Sequence, residues 1–128
     1  MPQEEIKRLR EAIRQPLNIT IRINQLKKDP KKMIRQWQTI YGWEAEALPF
    51  CPSGYRIQPA QTAPSATIEH RMGYFYIQEA ASMLPAELFD FTGIDRPLVL
   101  DMAASPGGKT THLADRTEDK GLIIANDA

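Results

Sequence analysis

The sequence contains one cysteine, two histidines and no long apolar run in 128 residues. A lone Cys51 excludes an internal disulfide framework and a Cys-cluster metal site. His70 and His112 are too few and too far apart in sequence to replace it, and surface or helix-face positions are expected of both, with no metal bound. No stretch approaches the ~20 apolar residues of a membrane span, so no membrane partner is expected. The start, Met1-Pro2-Gln3-Glu4-Glu5, is polar and acidic and lacks the apolar region of a secretory signal. A reducing, cytoplasmic setting fits these absences.

An excess of either charge is also missing: 16 Lys/Arg stand against 16 Asp/Glu. The charges are nevertheless unevenly spread. Residues 1–40 hold 10 Lys/Arg and 4 Asp/Glu, net +6, and residues 41–128 hold 6 and 12, net −6. A basic front is either an anion-binding surface or a pair of solvated Lys/Arg-rich helices. With 42% hydrophobic and 25% charged residues, general disorder is excluded. The length suits one domain, or a small domain and part of another.

Hydrophobic periodicity organises the front. Ile6, Leu9, Ala12 and Ile13 share one face of a helix over residues 3–14, which Pro16 ends. Ile19, Ile21 and Ile23 alternate with Thr20, Arg22 and Asn24, the pattern of a half-buried strand. Asp29-Pro30 supplies an N-cap and a first-turn proline. Met33, Ile34, Trp37, Ile40 and Tyr41 then recur at helical spacing, and Gly42 closes the helix. Trp37 thus belongs to a core rather than to a base-stacking platform. Trp43–Leu48 reads as a short strand, residues 50–55 as a turn leading into a strand at Tyr55–Ile57, and residues 59–67 as a connecting loop. The main boundary is placed near residues 59–73, giving domains of 1–72 and 73–128.

Beyond it the pattern changes. Tyr74–Ile77 is compact and aromatic; Tyr74 and Tyr76 either border a cleft or pack. Gln78–Phe89 is helical in composition, with Pro85 as a break or the start of a new turn. Pro97–Asp101 and Gly121–Asn126 are continuous apolar runs of the kind seen in buried parallel strands. Between them lie a glycine turn and a short helix, Gly108–Asp115. Strand, turn, helix and strand make the first βαβ unit of a doubly wound sheet. The fold class expected is α/β: a small basic α+β domain, then the start of a Rossmann-like domain.

The chemistry concentrates in Asp101-Met102-Ala103-Ala104-Ser105-Pro106-Gly107-Gly108-Lys109-Thr110. A glycine turn between strand and helix lets a ligand approach the backbone, and free N–H groups at the helix start face it. Asp127 follows Asp101 by 26 residues, at the end of the next strand, where nucleotide-type folds hold a carboxylate for ribose hydroxyls. Turn and acid together describe a site for an adenosine-containing ligand. A phosphate-binding loop needs glycine where Ala103 stands, and Pro106 removes an N–H from the cradle. The dinucleotide pattern is absent as well. S-adenosyl-L-methionine has no phosphates and needs neither.

The ten-residue motif resembles the D-x-[CA]-A-[AS]-P-G-G-K-T cofactor motif of RNA 5-methylcytosine methyltransferases of the Sun/Nop group. Gly73–Pro85 resembles that family's segment before its first catalytic strand, Arg22-Ile23-Asn24-Gln25-Leu26-Lys27 its R-x-N-T-L-K stretch with Gln25 in place of Thr, and Ala125-Asn126-Asp127 its A-N-[DE]. The overall look is of the RsmF-like branch. The resemblance implies a Rossmann-like methyltransferase that uses S-adenosyl-L-methionine to methylate cytosine C5 of rRNA or tRNA. Cofactor contacts then fall on Ala103, Ala104, Ser105, Pro106, Gly107, Gly108, Lys109 and Asp127. In that family a cysteine thiolate adds to cytosine C6 so that C5 can take the methyl group. The cysteine motifs, P-C-S and T-C-S, lie beyond the second strand, and the sequence ends at Ala128 before either. No catalytic residue is assigned. Cys51 does not substitute: it has no His or basic neighbour in sequence and reads as a small buried hydrophobe. The chain is expected to be the N-terminal portion of such an enzyme, inactive alone. Lys27, Lys28, Lys31 and Lys32, clustered at a helix start, are the RNA candidates, or else a solvated face. The rival reading is a non-catalytic RNA-binding module. A nucleoside triphosphatase is disfavoured by Ala103 and Pro106.

Overall fold

The computed structural model describes residues 3–14 and 18–127. Helix α1 (Gln3–Arg14) forms where periodicity places it. Its apolar stripe, Ile6, Leu9 and Ile13, is exposed among the described residues; Pro16 lies outside them.

The first unit is an antiparallel sheet of β1 (Ile19–Ile23), β2 (Glu44–Leu48), β3 (Cys51–Gln58) and β4 (Phe75–Ile77), in the order β2-β3-β1-β4. Helix α2 (Pro30–Tyr41) covers one face. The Asp29 side chain accepts from the Lys32 N–H at 2.7 Å. Gly42 ends the helix at φ 65°, its N–H donating to Gln38 O at 3.0 Å. Met33, Ile34 and Trp37 turn inward onto Ile21, Ile23, Trp43, Tyr55, Ile57 and Phe75.

Three expectations change here. Residues 51–54 are extended rather than turned. Their strand continues through a register shift opposite Ala47/Leu48, and a Cβ on Gly54 would stand 2.9 Å from the Leu48 side chain, so glycine lets the strands close. Phe75–Ile77, expected beyond the boundary at 73, hydrogen-bonds to β1 as the edge strand of the first sheet. β1 is not half-buried: Thr20 and Arg22 are as enclosed as Ile21 and Ile23, because the second unit covers the face on which they stand.

A 3-10 turn (Pro64–Ala66) and the one-turn helix α3 (Ile68–Arg71) lead to β4. Helix α4 (Ala80–Glu87) follows, capped by Glu79 accepting from Ser82 N–H at 3.1 Å, with Pro85 inside it. The second unit is β5 (Leu98–Asp101), α5 (Gly108–Arg116) and β6 (Leu122–Ala125), the strands parallel with Leu98 opposite Leu122. Val99 and Ile123 face Ala86, Phe91 and Leu113. Leu98, Leu100, Leu122 and Ile124 stand on the opposite face, exposed by about half or more (72%, 59%, 57% and 48%). The continuous apolar runs therefore belong to strands covered on one face only among the described residues. At the entry to β6, Gly121 has φ +83°, and a Cβ there would fall 2.1 Å from Pro97 O.

Candidate cofactor turn and its supports

The turn lies beyond the carboxyl ends of β5 and β6, where open α/β sheets bind ligands. Its path is fixed by backbone pairing. Asn126 N–H donates to Asp101 O at 2.8 Å, Ala104 N–H to Asn126 O at 3.0 Å, and Gly107 N–H to Ala104 O at 2.6 Å. The Ser105–Pro106 peptide is cis. Gly107 sits at φ +100°, where a side chain is strained, and the space beside its Cα is open to 4 Å.

Two carboxylates hold this path. Asp101, nearly buried, accepts from Ala103 N–H at 3.2 Å and from the Thr110 hydroxyl at 2.6 Å. Asp127 Oδ2 accepts from Ser105 N–H at 2.8 Å. Of the eight residues expected to touch cofactor, Ala103 to Gly107 form the turn, Gly108 and Lys109 open α5 directly after it, and Asp127 is bonded to it. Asp101 supports the turn without being among those eight; its place at the strand end before the turn is the sequence signal for that role.

A cavity of about 190 Å³ opens between this turn and the first unit, with Ala104, Pro106 and Lys109 on one side and Tyr76, Gln78 and Glu79 on the other. It is smaller than the ~300 Å³ at which ligand pockets begin, so by itself it does not enclose a small-molecule ligand. A larger hollow of about 710 Å³ around Pro97 and Gly121 lies at the opposite strand ends, away from the turn.

The lysine cluster is divided. Lys27 Nζ donates to Met72 O at 2.9 Å, and Lys28 Nζ lies 4.5 Å from the Tyr74 ring centre. Lys31 and Lys32 are exposed on the first turn of α2.

Cys51 is buried, as expected of it, beside Leu48 and Met83, whereas His112 is buried rather than at the surface. Neither has a chemical neighbour in sequence, yet β3, α4 and α5 bring Cys51, Glu87 and His112 together, with one ligand atom of each within 4.8 Å of the others. Both Cys51 and His112 are fully buried. His112 Nε2 lies 2.9 Å from Glu87 Oε1 and 3.9 Å from Cys51 Sγ. With its hydrogen on Nε2, His112 donates to the Glu87 carboxylate. Burial, and the hydrogen bond that the thiol donates to the Glu87 carboxylate, push Cys51 up to about 11, so it is no nucleophile at neutral pH. Burial, then the charge of Arg22, pushes His112 down to about 4. Arg116 answers Glu87 at 3.2 Å and Arg22 answers Asp115. Each of these two carboxylates therefore faces an arginine.

The histidine makes the fold acid-sensitive. Its folded pKa lies below the unfolded value of about 6.5, so the unfolded chain binds the extra proton between pH 6.5 and 4. Stability is full above pH 6.5 and falls as pH drops toward 4, by on the order of 1–3 kcal/mol. Urea titrations across that range should show the loss, and His112→Gln should flatten this part of the profile. An unchanged profile in the variant would assign the acid sensitivity to other groups.

The family model described as the N-terminal domain of 16S rRNA methyltransferase RsmF matches residues 1–80, and the one described as 16S rRNA methyltransferase RsmB/F matches residues 92–128. A ribosomal RNA small subunit methyltransferase F from Pectobacterium carotovorum is 42% identical over 119 residues, covering 91% of this chain and 24% of the relative. One from Shewanella piezotolerans is 44% identical over 115 residues, covering 88% and 24%. The chain thus spans about a quarter of the length of these curated relatives. Among solved structures, a methyltransferase homologue from Pyrococcus horikoshii superposes with a TM-score of 0.87 at 32% identity, covering 99% of this chain and 41% of that one. NSun6 from the same organism shares the fold, with a TM-score of 0.79 at 21% identity, covering 98% and 55%. With its first 80 residues matched by that domain's model and a strand–turn–helix–strand unit following, the chain belongs to the RsmF N-terminal-domain family.

Proposed function

We propose that this chain supplies the front of an RNA cytosine-C5 methyltransferase: one wall of its S-adenosyl-L-methionine site and a basic surface for RNA, rRNA before tRNA given the names of its relatives. The observation that carries the reading is the turn of Ala103–Lys109 held by Asp127 at the carboxyl ends of two parallel strands. The donor set fits the cofactor. Gly107 leaves open space for close approach, and Asp127 has one oxygen on Ser105 and a second to accept from ribose hydroxyls. Bound there, the cofactor would supply an electrophilic methyl group. This chain's own residues bind and orient: Ala103 to Gly108 shape the turn, and Lys109 stands at the cavity wall. The sheet pairing of Phe75–Ile77 favours moving the boundary between the two domains from residue 73 to just after Ile77. RNA as substrate and the reduced Cys51 favour a cytoplasmic setting; no described helix is long and apolar enough to cross a membrane.

Calorimetric titration of the chain with S-adenosyl-L-methionine should show weak binding, and Asp127→Ala should weaken it further, roughly 10-fold or more, since hydrogen bonds to a charged group contribute about 1.5–3 kcal/mol. A methyl-transfer assay on mixed RNA should show no turnover by this chain. Affinity unaffected by Asp127→Ala would remove the ribose role. Turnover would contradict the division of labour.

RNA binding should be electrostatic. If Lys27, Lys28, Lys31 and Lys32 neutralise four phosphates of single-stranded RNA, affinity should fall about 50-fold between 50 and 200 mM salt. Filter binding at the two salt concentrations measures it. Salt-indifferent binding would reject the four lysines as phosphate contacts.

A further inference from the structure

Two contacts run from the first sheet into the second unit and end on the glycine turn. Arg22, on the central strand β1, is 2% exposed and directs its whole guanidinium across the boundary. Nη1 donates to Asp115 on α5 and Nε to Gln78 Oε1 at 3.3 Å. Nη2 donates to Thr111 Oγ1 at 2.8 Å, and the Thr111 hydroxyl donates onward to Gly107 O at 2.8 Å. A hydroxyl has one hydrogen to give and lone pairs to receive, so both bonds form together. The second reach is the Tyr76 hydroxyl of β4, which donates to Pro106 O at 2.9 Å. The carbonyls of two successive residues, Pro106 and Gly107, are thereby tied to the first sheet.

We infer that Arg22 and Tyr76 are positioning residues for the cofactor turn: the first sheet helps hold the turn's shape, beside Asp101 and Asp127, through the Arg22–Thr111–Gly107 relay and the Tyr76–Pro106 bond. The inference rests on the cofactor reading above. A turn built on a φ +100° glycine has little intrinsic preference for one path. Anchoring its carbonyls from outside aims its N–H groups before any ligand arrives, and such preorganisation lowers the cost of binding. It also makes the two units interdependent: whatever moves β1 or β4 moves the turn.

Removing Arg22 itself risks unfolding, so the test acts at the far ends of the two contacts. Tyr76→Phe and Thr111→Val each delete one hydroxyl near the surface. Hydrogen exchange is followed in the full chain at the amides of Ala104, Ser105 and Gly107, whose partners lie within the turn or on Asn126 and Asp127. The double variant should exchange at these amides about 10-fold faster or more, while Ile21 and Tyr55 in the first sheet stay unchanged. Thr111→Ser, which keeps the hydroxyl, should restore the wild-type rate at Gly107. Unchanged rates at the turn overturn the inference, and so does uniform acceleration across the chain, which would mark a merely structural role. Exchange repeated with millimolar S-adenosyl-L-methionine separates the two readings. Absence of slowing at Ser105 and Gly107 in the wild-type chain counts against the cofactor site, whereas the effect of the variants is read without any ligand.

Discussion

Arg22→Met should destabilise the chain by about 3–5 kcal/mol, the cost of leaving one partner of a buried ion pair without the other. Arg22 and Asp115 are 2% and 1% exposed at their side chains. Burial pulls the Arg22 pKa down and pushes that of Asp115 up, and each charge is held largely by its partner. With Met at 22, Asp115 keeps its desolvation penalty and loses its cation, while Gln78 Oε1 and Thr111 Oγ1 lose a donor. Chemical denaturation with both β-sheet and cofactor-turn probes measures the change. Asp115→Leu added to Arg22→Met should recover part of the loss, because two apolar groups leave no orphaned charge. A single-variant loss below about 1 kcal/mol would show that water reaches the pair and that the boundary between the units is open.

Trp37→Ala should cost a similar ~3–5 kcal/mol, by a different route: lost transfer energy and a cavity that neighbours cannot fill. Trp37 is fully buried, with ring centres 5.1 Å from Phe75 and 6.1 Å from Trp43 in edge-on contact. Such pairs add to burial alone. Phe75 is on β4 and Trp43 precedes β2, so one ring ties α2 to both edges of the sheet. Trp37→Phe should cost far less, since the indole N–H finds no acceptor among the described residues. The urea midpoint reads both variants. A small effect of Trp37→Ala would mean that the helix–sheet core collapses around the gap.

Local rules were sufficient wherever one residue's own chemistry decides the backbone. Asp29-Pro30 and Gly42 bracket α2 because a side-chain acceptor, a fixed φ and a left-handed terminus each act within a turn of helix. The glycine turn and Asp127 were legible for the same reason: their spacing follows from one strand, one helix and the next strand. Residues 51–54 read as a turn because proline, serine and glycine favour one locally, while pairing of Cys51 with Leu48 and of Gly54 with Arg22 holds them extended. What no local rule contains is which surface covers which. Arg22 and Thr20 alternate with isoleucines and so read as a solvent face, until α5 supplies Asp115 and Thr111 as partners for Arg22 and the Gln78 carbonyl accepts from the Thr20 hydroxyl. Cys51 and His112 lie 61 residues apart, each unremarkable alone, and their perturbed pKa values exist only because three elements bury them around Glu87. Periodicity tells a residue which side of its strand or helix it occupies. Burial on the second side, and the charge pairing that burial demands, arise only when distant segments meet.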